Sequence, residues 1–330
     1  MNIRFVKQEV IPLGPCPSDE AGMLKRIELA GRAAYKSEDK ITEDSALGFA
    51  QRMKQSGHLS VLEHSNITFR YPLLQCDEEL YSVLRGRSAF HTIQCNEEGA
   101  DWRPNTYISG NVRAWIETLK FLYKVDFSDR VMDVLPDFEF RLSTMFSGLF
   151  GLEEPYEEGC LFGETSVVPE DDQRRLLLIG GRTPGTSCSD GLDEIMDLPV
   201  FTFKIICDRG ISHELVRHRV LSFTQESTRY VNYAGKGMTF IEPEEYHEAD
   251  SEGLYDESAR VYENMITSGL KPQIARDVLP NLLKTELYIS GRWSGWKHFI
   301  ELRDSPAAHP RIQRIAVDVR KYFEGIGLTV

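Results

Sequence analysis

What the chain lacks narrows it first. None of its apolar runs approaches the roughly 18 residues that a membrane-spanning helix requires, so no membrane role is expected. Its six cysteines (Cys16, Cys76, Cys95, Cys160, Cys188 and Cys207) form no C-x-x-C pair, and no H-E-x-x-H segment occurs. Neither a zinc site nor a disulfide framework is indicated, and the cysteines read as reduced thiols. The G-x-x-x-x-G-K-[ST] phosphate cradle is missing, as is the G-x-S-x-G elbow of serine hydrolases. Positive charge is scarce. Lys and Arg number 38 against 51 Asp and Glu, a formal net charge of -13 at pH 7. Such a balance repels polyanions except at a concentrated basic patch, which argues against general nucleic-acid binding. The first ten residues carry no apolar signal core, so they read as a strand and the protein as cytoplasmic.

What is there is ordinary globular material: 330 residues, 41% hydrophobic and 27% charged, enough for one large domain or two smaller ones. One stretch stands out against the acidic background. Arg217, His218, Arg219 and Arg229 crowd together beside Ser222, Thr224, Ser227 and Thr228. Clustered cations among hydroxyls make a local well for an anion, most simply a phosphate. An exposed helix carrying a few arginines fits the same residues, and so does a module that holds a phosphoprotein or RNA on the basic segment 217–229.

Periodicity and turn residues outline the elements. Ser18 or Asp19 is expected to cap a helix through Leu24, Ile27 and Leu29, and a second helix with Leu47, Ala50 and Met53 is expected to end at Ser56 and Gly57. Ile67 to Tyr71 alternates as a strand, and Trp115 opens an amphipathic helix. Further on come a helix around Val131 to Phe150, an acidic run at 153–158 and a Gly- and Ser-rich tract at 180–191 that reads as a mobile loop. Phe201 to Cys207 is apolar and β-branched, a strand, followed by a helix with Ser212 as N-cap that is expected to run through Arg217 to Arg219. On that helix Ile211, Leu215 and Val216 are expected to face the core, with Glu214 and Arg217 sharing another face. Leu221 to Tyr230 has too many hydroxyl and amide side chains for a helix interior and reads as a loop around an oxygen-rich ligand. A turn at Gly235 to Gly237, a helix over 254–268 and a helix opened by Pro272 complete the pattern. Two nonapeptides echo each other, Tyr107-Ile-Ser-Gly-Asn-Val-Arg-Ala-Trp115 and Tyr288-Ile-Ser-Gly-Arg-Trp-Ser-Gly-Trp296.

Arg217-His-Arg219, followed by seven residues and then Ser227, resembles the signature of the flavin-dependent thymidylate synthases. Other segments resemble the same family in the same order. They are Gly57-His-Leu-Ser-Val-Leu-Glu-His64, Ala275-Arg-Asp-Val-Leu-Pro280, and Leu302-Arg303 with the following Ala308 to Ala316. The resemblance covers roughly residues 30 to 70, 200 to 235 and 270 to 320 and implies an α/β (α+β) fold, a central mixed sheet flanked by helices. It implies one domain over 1–330, interrupted by an insertion at about 75–198. It further implies a homotetramer with shared active sites that methylates dUMP to dTMP, with methylenetetrahydrofolate as carbon donor and FAD, reduced by NADPH, as hydride source.

Carried over position by position, the resemblance puts Ser37, His58, Ser60, Glu63, Arg217, His218, Arg219 and Gln225 at the flavin. It puts Glu214, Arg217, Gln225, Glu226, Ser227, Thr228, Arg229, Arg276 and Arg303 at the nucleotide. Arg303 falls on the family's catalytic arginine, and its cationic fork suits negative charge developing on a uracil ring. Ser227 is either a ligand of the 5'-phosphate or a nucleophile, for which His213 and His218 are the available bases. The family's Asn-x-Arg flavin contact has two candidates, Asn111 with Arg113, or the departing pair Arg292 and His298. Gln225 stands where several relatives carry Glu, and Ser294 where others carry Arg. His58 and His64 also admit a metal reading, although no third ligand accompanies them. A Ser-His hydrolase is a further class, without an elbow motif to support it.

Overall fold

The computed structural model describes residues 2–17, 19–72, 90–95, 105–122, 166–167, 197–245 and 253–330. The expected helix at 131–150, the acidic run at 153–158, the tract at 180–191 and the capping candidate Ser18 lie outside the described residues. The elements in chain order are β1 (Ile3–Val6), β2 (Glu9–Pro15), α1 (Glu20–Tyr35), α2 (Ser45–Gln55), β3 (Asn66–Pro72), β4 (Phe90–Cys95), β5 (Asn105–Asn111) and α3 (Val112–Leu122). They continue with β6 (Ser166–Val167), β7 (Val200–Asp208), α4 (Arg209–Leu215), β8 (Ser222–Gln225), β9 (Met238–Ile241), α5 (Leu254–Thr267), α6 (Pro272–Ala275), β10 (Lys284–Arg292), α7 (Trp293–Arg303) and α8 (Pro310–Gly325).

Helix and strand are mixed, as an α/β chain requires. Two four-stranded sheets, ordered β2-β7-β10-β8 and β4-β5-β3-β6, are each antiparallel, while β1 and β9 pair in parallel. β7 and β10 share nine register positions, from Lys284 opposite Asp208 to Arg292 opposite Val200. One face of this pair, with Phe203, Ile205, Leu287 and Ile289, is buried beneath Trp296, Phe299, Ile315, Val319 and Phe323 of α7 and α8. The other face presents Tyr288 to Ala30 and Ala33 of α1. Among the described residues, no helix is long and apolar enough to cross a membrane.

Three local expectations are corrected. The N-cap of α4 is Asp208, whose Oδ1 accepts from Ile211 N–H at 2.8 Å, and Ser212 instead donates its hydroxyl to the Arg209 carbonyl at 2.8 Å. The strand ends on an acceptor already in capping position, so the helix starts earlier. α4 also stops at Leu215, which leaves Val216 38% exposed and Arg217 to Arg219 in successive turns. After Ile211 and Leu215 fill the core, the next apolar anchor is Leu221, and a continued helix would aim His218 and Arg219 at that space instead. Ser222 to Gln225 is strand β8 rather than loop, because the open edge of β10 supplies hydrogen-bonding partners that outweigh the polar composition.

The segment between α2 and β3 is a 3-10 turn, Leu59–His64, pinned by its last residue. His64 is fully buried, with Nδ1 2.8 Å from Ser290 Oγ on β10 and Nε2 2.9 Å from Thr224 Oγ1 on β8. Burial, and then the Arg26 charge, pull its pKa down to about 3 from 6.5. The unfolded chain therefore binds a proton that the native chain refuses between those values. This contribution is intact above pH 6.5 and is lost as pH falls below it. Chemical unfolding at pH 7 and pH 5 is expected to show lower stability at pH 5, and a His64→Gln variant is expected to lose part of that slope; an unchanged slope contradicts the assignment. Gly31 marks the closest approach of α1 to α2, since a Cβ there would sit 2.5 Å from the Phe49 ring. Phe49 is 3% exposed and lies under the Arg32 guanidinium, which leaves the ring no free retreat. Gly31→Ala is expected to cost about 1–3 kcal/mol, read from the urea midpoint.

Candidate active site

Two cavities meet at Arg219 and Val220. The first, about 570 Å³, lies between the β5–α3 junction and the β10–α7 junction, and Glu63, Asn111, Arg113, Arg219 and Arg292 line it together with Val200 and Leu221. The second, about 630 Å³, is lined by Arg217, His218, Arg219, His298 and Arg303. The turns after α4 thus place Arg219 on both cavities, while Arg217 serves the second.

Arg303, the last residue of α7, is held from two sides. Its Nη1 donates to Glu214 Oε2 at 2.7 Å and its Nε donates to His218 Nε2 at 3.0 Å. A guanidinium has only protons to give, so the His218 ring must accept at Nε2 and is neutral. Burial first, and then the charges of Arg303, His298 and Arg217, lower the His218 pKa to about 4. The result is a cationic fork of fixed orientation beside two exposed guanidinium groups, Arg217 and Arg219.

The segment after β8 is moored to α1. Ser227 N–H donates to the Ala34 carbonyl at 2.9 Å, and Ser227 Oγ accepts from Arg229 N–H at 3.3 Å. Arg276 Nη1 approaches Thr228 Oγ1 at 3.4 Å, and Arg229 lies 5.4 Å over the Tyr230 ring. Tyr230 in turn packs on Tyr35, whose hydroxyl is 2.7 Å from His58 Nδ1. Ser227, Thr228, Arg229, Arg276 and His58 therefore gather around the end of α1, with Ser37 two residues beyond it. Ser60 is exposed on the 3-10 turn that carries His58 at its start.

Several residues spend their polar groups on protein partners, some of them while lining a cavity. Gln225 Nε2 donates to Ser212 Oγ at 2.8 Å and Thr285 Oγ1 at 3.1 Å. Glu226 is 2% exposed, accepts from Tyr233 Oη at 2.9 Å and pairs with Lys36 and Lys284. Glu286 is ringed by Lys36, Lys204 and Lys284; burial pushes its carboxyl up, but these cations hold it down at about 2. Arg292 lines the first cavity yet gives its guanidinium to Ser109 O, Ser109 Oγ, Asp197 O and Leu198 O within 3.1 Å. Arg113 meets Glu63 at 2.7 Å and Glu117 at 2.8 Å, and Asn111 Oδ1 accepts from Ala114 N–H at 2.8 Å.

Sequence reasoning missed Lys36, Lys204, Lys284, Glu286 and Asp197. The polar alternation Lys284, Glu286, Tyr288 on β10 was a legible sign of a second face. Nothing local marks Asp197, whose carboxylate accepts from both Ser294 N–H at 2.6 Å and Ser294 Oγ at 2.7 Å across the start of α7.

Residues 185–326 match the family described as "Thymidylate synthase complementing protein". Among curated relatives, a flavin-dependent thymidylate synthase of Geobacter sulfurreducens is 30% identical over 146 residues, 42% of this chain and 63% of that protein. Proteins of the same name from Thermococcus onnurineus and Pyrococcus furiosus are 32% identical over 134 residues and 34% identical over 136 residues, each match covering 38% of this chain and 55% of the relative. The chain thus spans less than two thirds of the length of the curated relatives it matches. The region matched by the family model contains α4, the turns of Arg217 to Arg219, β10, α7 and all of α8. By these matches the C-terminal part of the chain is similar to the thymidylate synthase complementing protein family.

Proposed function

We propose that the protein is a flavin-dependent thymidylate synthase, converting dUMP to dTMP with methylenetetrahydrofolate as carbon donor and FAD reduced by NADPH. The observation that carries this reading is the position of Arg217 to Arg219 between two cavities, with Arg303 fixed in the second. In this reading residues 1–330 act as one enzyme with the family's fold, working in the cytoplasm as a homotetramer with shared sites.

The first cavity suits a dinucleotide cofactor. Val200, Val220 and Leu221 offer apolar wall, and Asn111, Arg113 and Arg219 offer donors for ring edges and phosphates. FAD, when bound, supplies the hydride. The chain's own work is binding and charge placement. Ser227, Arg229 and Arg276 hold the nucleotide phosphate, with Thr228 buttressing Arg276. Arg303 meets the pyrimidine edge, where its permanent charge stabilises the electron-rich ring, and His218 keeps the fork oriented without adding a second charge. Glu214 shares Arg303 with the substrate.

The geometry favours Ser227 as phosphate ligand over nucleophile. His218 spends Nε2 on Arg303, and the bond recorded at Ser227 Oγ comes from the Arg229 backbone, not from a base.

Two outcomes test this reading. The purified protein is expected to be yellow and to bleach anaerobically with NADPH; colourless protein that takes up no added FAD overturns it. Ser227→Ala is expected to weaken dUMP binding about tenfold, the loss of one hydrogen bond to a charged group, and to keep measurable turnover. Abolished turnover with normal dUMP affinity makes the serine a nucleophile instead.

A further inference from the structure

The echoing nonapeptides occupy equivalent places in the two sheets. β5 and β10 each pair antiparallel with a strand, β3 and β7, and each runs directly into an 11-residue helix, α3 and α7. The cross-strand partners correspond: Ile67, Thr68 and Phe69 lie opposite Gly110, Ser109 and Ile108, as Phe201, Thr202 and Phe203 lie opposite Gly291, Ser290 and Ile289. The hydrogen bonds correspond as well. Thr68 meets Ser109 at 2.9 Å and Thr202 meets Ser290 at 2.7 Å; Trp115 Nε1 donates to Ile67 O at 3.4 Å and Trp296 Nε1 to Phe201 O at 3.2 Å. Sheet order matches too, β6-β3-β5-β4 against β2-β7-β10-β8. Strand propensity alone demands none of these coincidences, least of all an indole bonded to the carbonyl opposite a glycine.

The first cavity lies between the two units and is lined by counterpart residues: Glu63 and Asp197, Asn111 and Arg292, Arg113 and Ser294. The counterparts do different things. Glu63 accepts from Arg113, whereas Asp197 is occupied by both donors of Ser294. Asn111, which lines the cavity, caps α3 with its oxygen, and its amide NH2 takes no part in that bond. Arg292 reaches across and fastens to Ser109, the other unit's counterpart of Ser290, and to the backbone at Asp197 and Leu198.

We propose that the chain contains two copies of one strand–strand–helix unit that have divided the work of the cavity between them: Asn111 and Arg113 of the first copy meet a phosphate-bearing dinucleotide, while Arg292 of the second, set at the start of a helix that Asp197 ties down through Ser294, forms with Ser109 the joint that holds the copies together. Part of the stretch read from sequence as an insertion at 75–198, from β4 to α3, is on this account a structural half of the site. The ligand side of the inference rests on the flavin reading; the joint does not.

The test measures the FAD dissociation constant, and the thermal midpoint without FAD, on the full chain carrying Asn111→Ala, Arg113→Gln, Asp197→Ala or Arg292→Lys. The first two are expected to weaken FAD about tenfold or more with little change in midpoint. The last two are expected to lower the midpoint by several degrees and to change the FAD affinity of the folded protein by less than about threefold. Should Asp197→Ala fail to fold, Arg292→Lys, which keeps the charge but not the fork, carries the test. Equal loss of FAD affinity on both sides, or loss confined to the second pair, overturns the division of work. If the wild-type chain takes up no FAD, the flavin reading fails and the midpoints still decide the joint: second-copy variants as stable as wild type overturn it.

Discussion

Everything around the site depends on the register of β10 against β7. Side chains alternate along β10, so Leu287 and Ile289 enter the aromatic core under α7 and α8 while Glu286 and Tyr288 face α1. A slip of one residue would exchange the two faces and drive the lysine–glutamate cluster into that core. The same register delivers Arg292 to the strand's end beside Asp197 and starts α7 at Trp293, and at its eleventh and last residue the helix presents Arg303 to Glu214 and His218. Strand and helix act as one ruler, measuring from the sheet to the guanidinium.

The α1 face of this pair carries unusual charge. Glu226 and Glu286 are nearly buried and are compensated by Lys36, Lys204 and Lys284, so the cluster draws its cations from the end of α1, from β7 and from β10. Buried ions pay for themselves only when every partner is in place, so such a network gains specificity more than stability. Lys36 takes part from a left-handed backbone position at the end of α1, with φ of 50°, and the Ser227 segment hangs from that same corner. The interior charge and the segment at Ser227 therefore share one anchor.

Part of the candidate site was legible because it is written in short segments: Arg217 to Arg219 and Leu302 with Arg303, which line the second cavity, and the segment ending in Glu63, which lines the first. Strand β7, helices α1, α2 and α3 and the turn at Gly235 were legible for the same reason, each being decided by its own periodicity and caps. What was not legible depends on distant partners. The length of α4 is set by Leu221 reaching the core, and β8 exists because β10 has an open edge. The engagement of Gln225 by Ser212 and Thr285, and the burial of Glu226 against Tyr233, Lys36 and Lys284, follow from partners on other elements. Arg292 was visible as a departure from the family pattern, but its use appears only when Ser109 and Asp197 stand beside it.

The double attachment of Arg303 has a consequence for traffic through the second cavity. Because Glu214 already neutralises the fork and His218 stays uncharged, an anion that reaches for Arg303 must exchange places with a carboxylate, while the open positive charge of the cavity rests on Arg217 and Arg219. A small, weakly held anion gains little from that exchange, whereas one large enough to engage Arg217 or Arg219 as well gains on several fronts at once. Arg303 is thus a guarded charge rather than an open one.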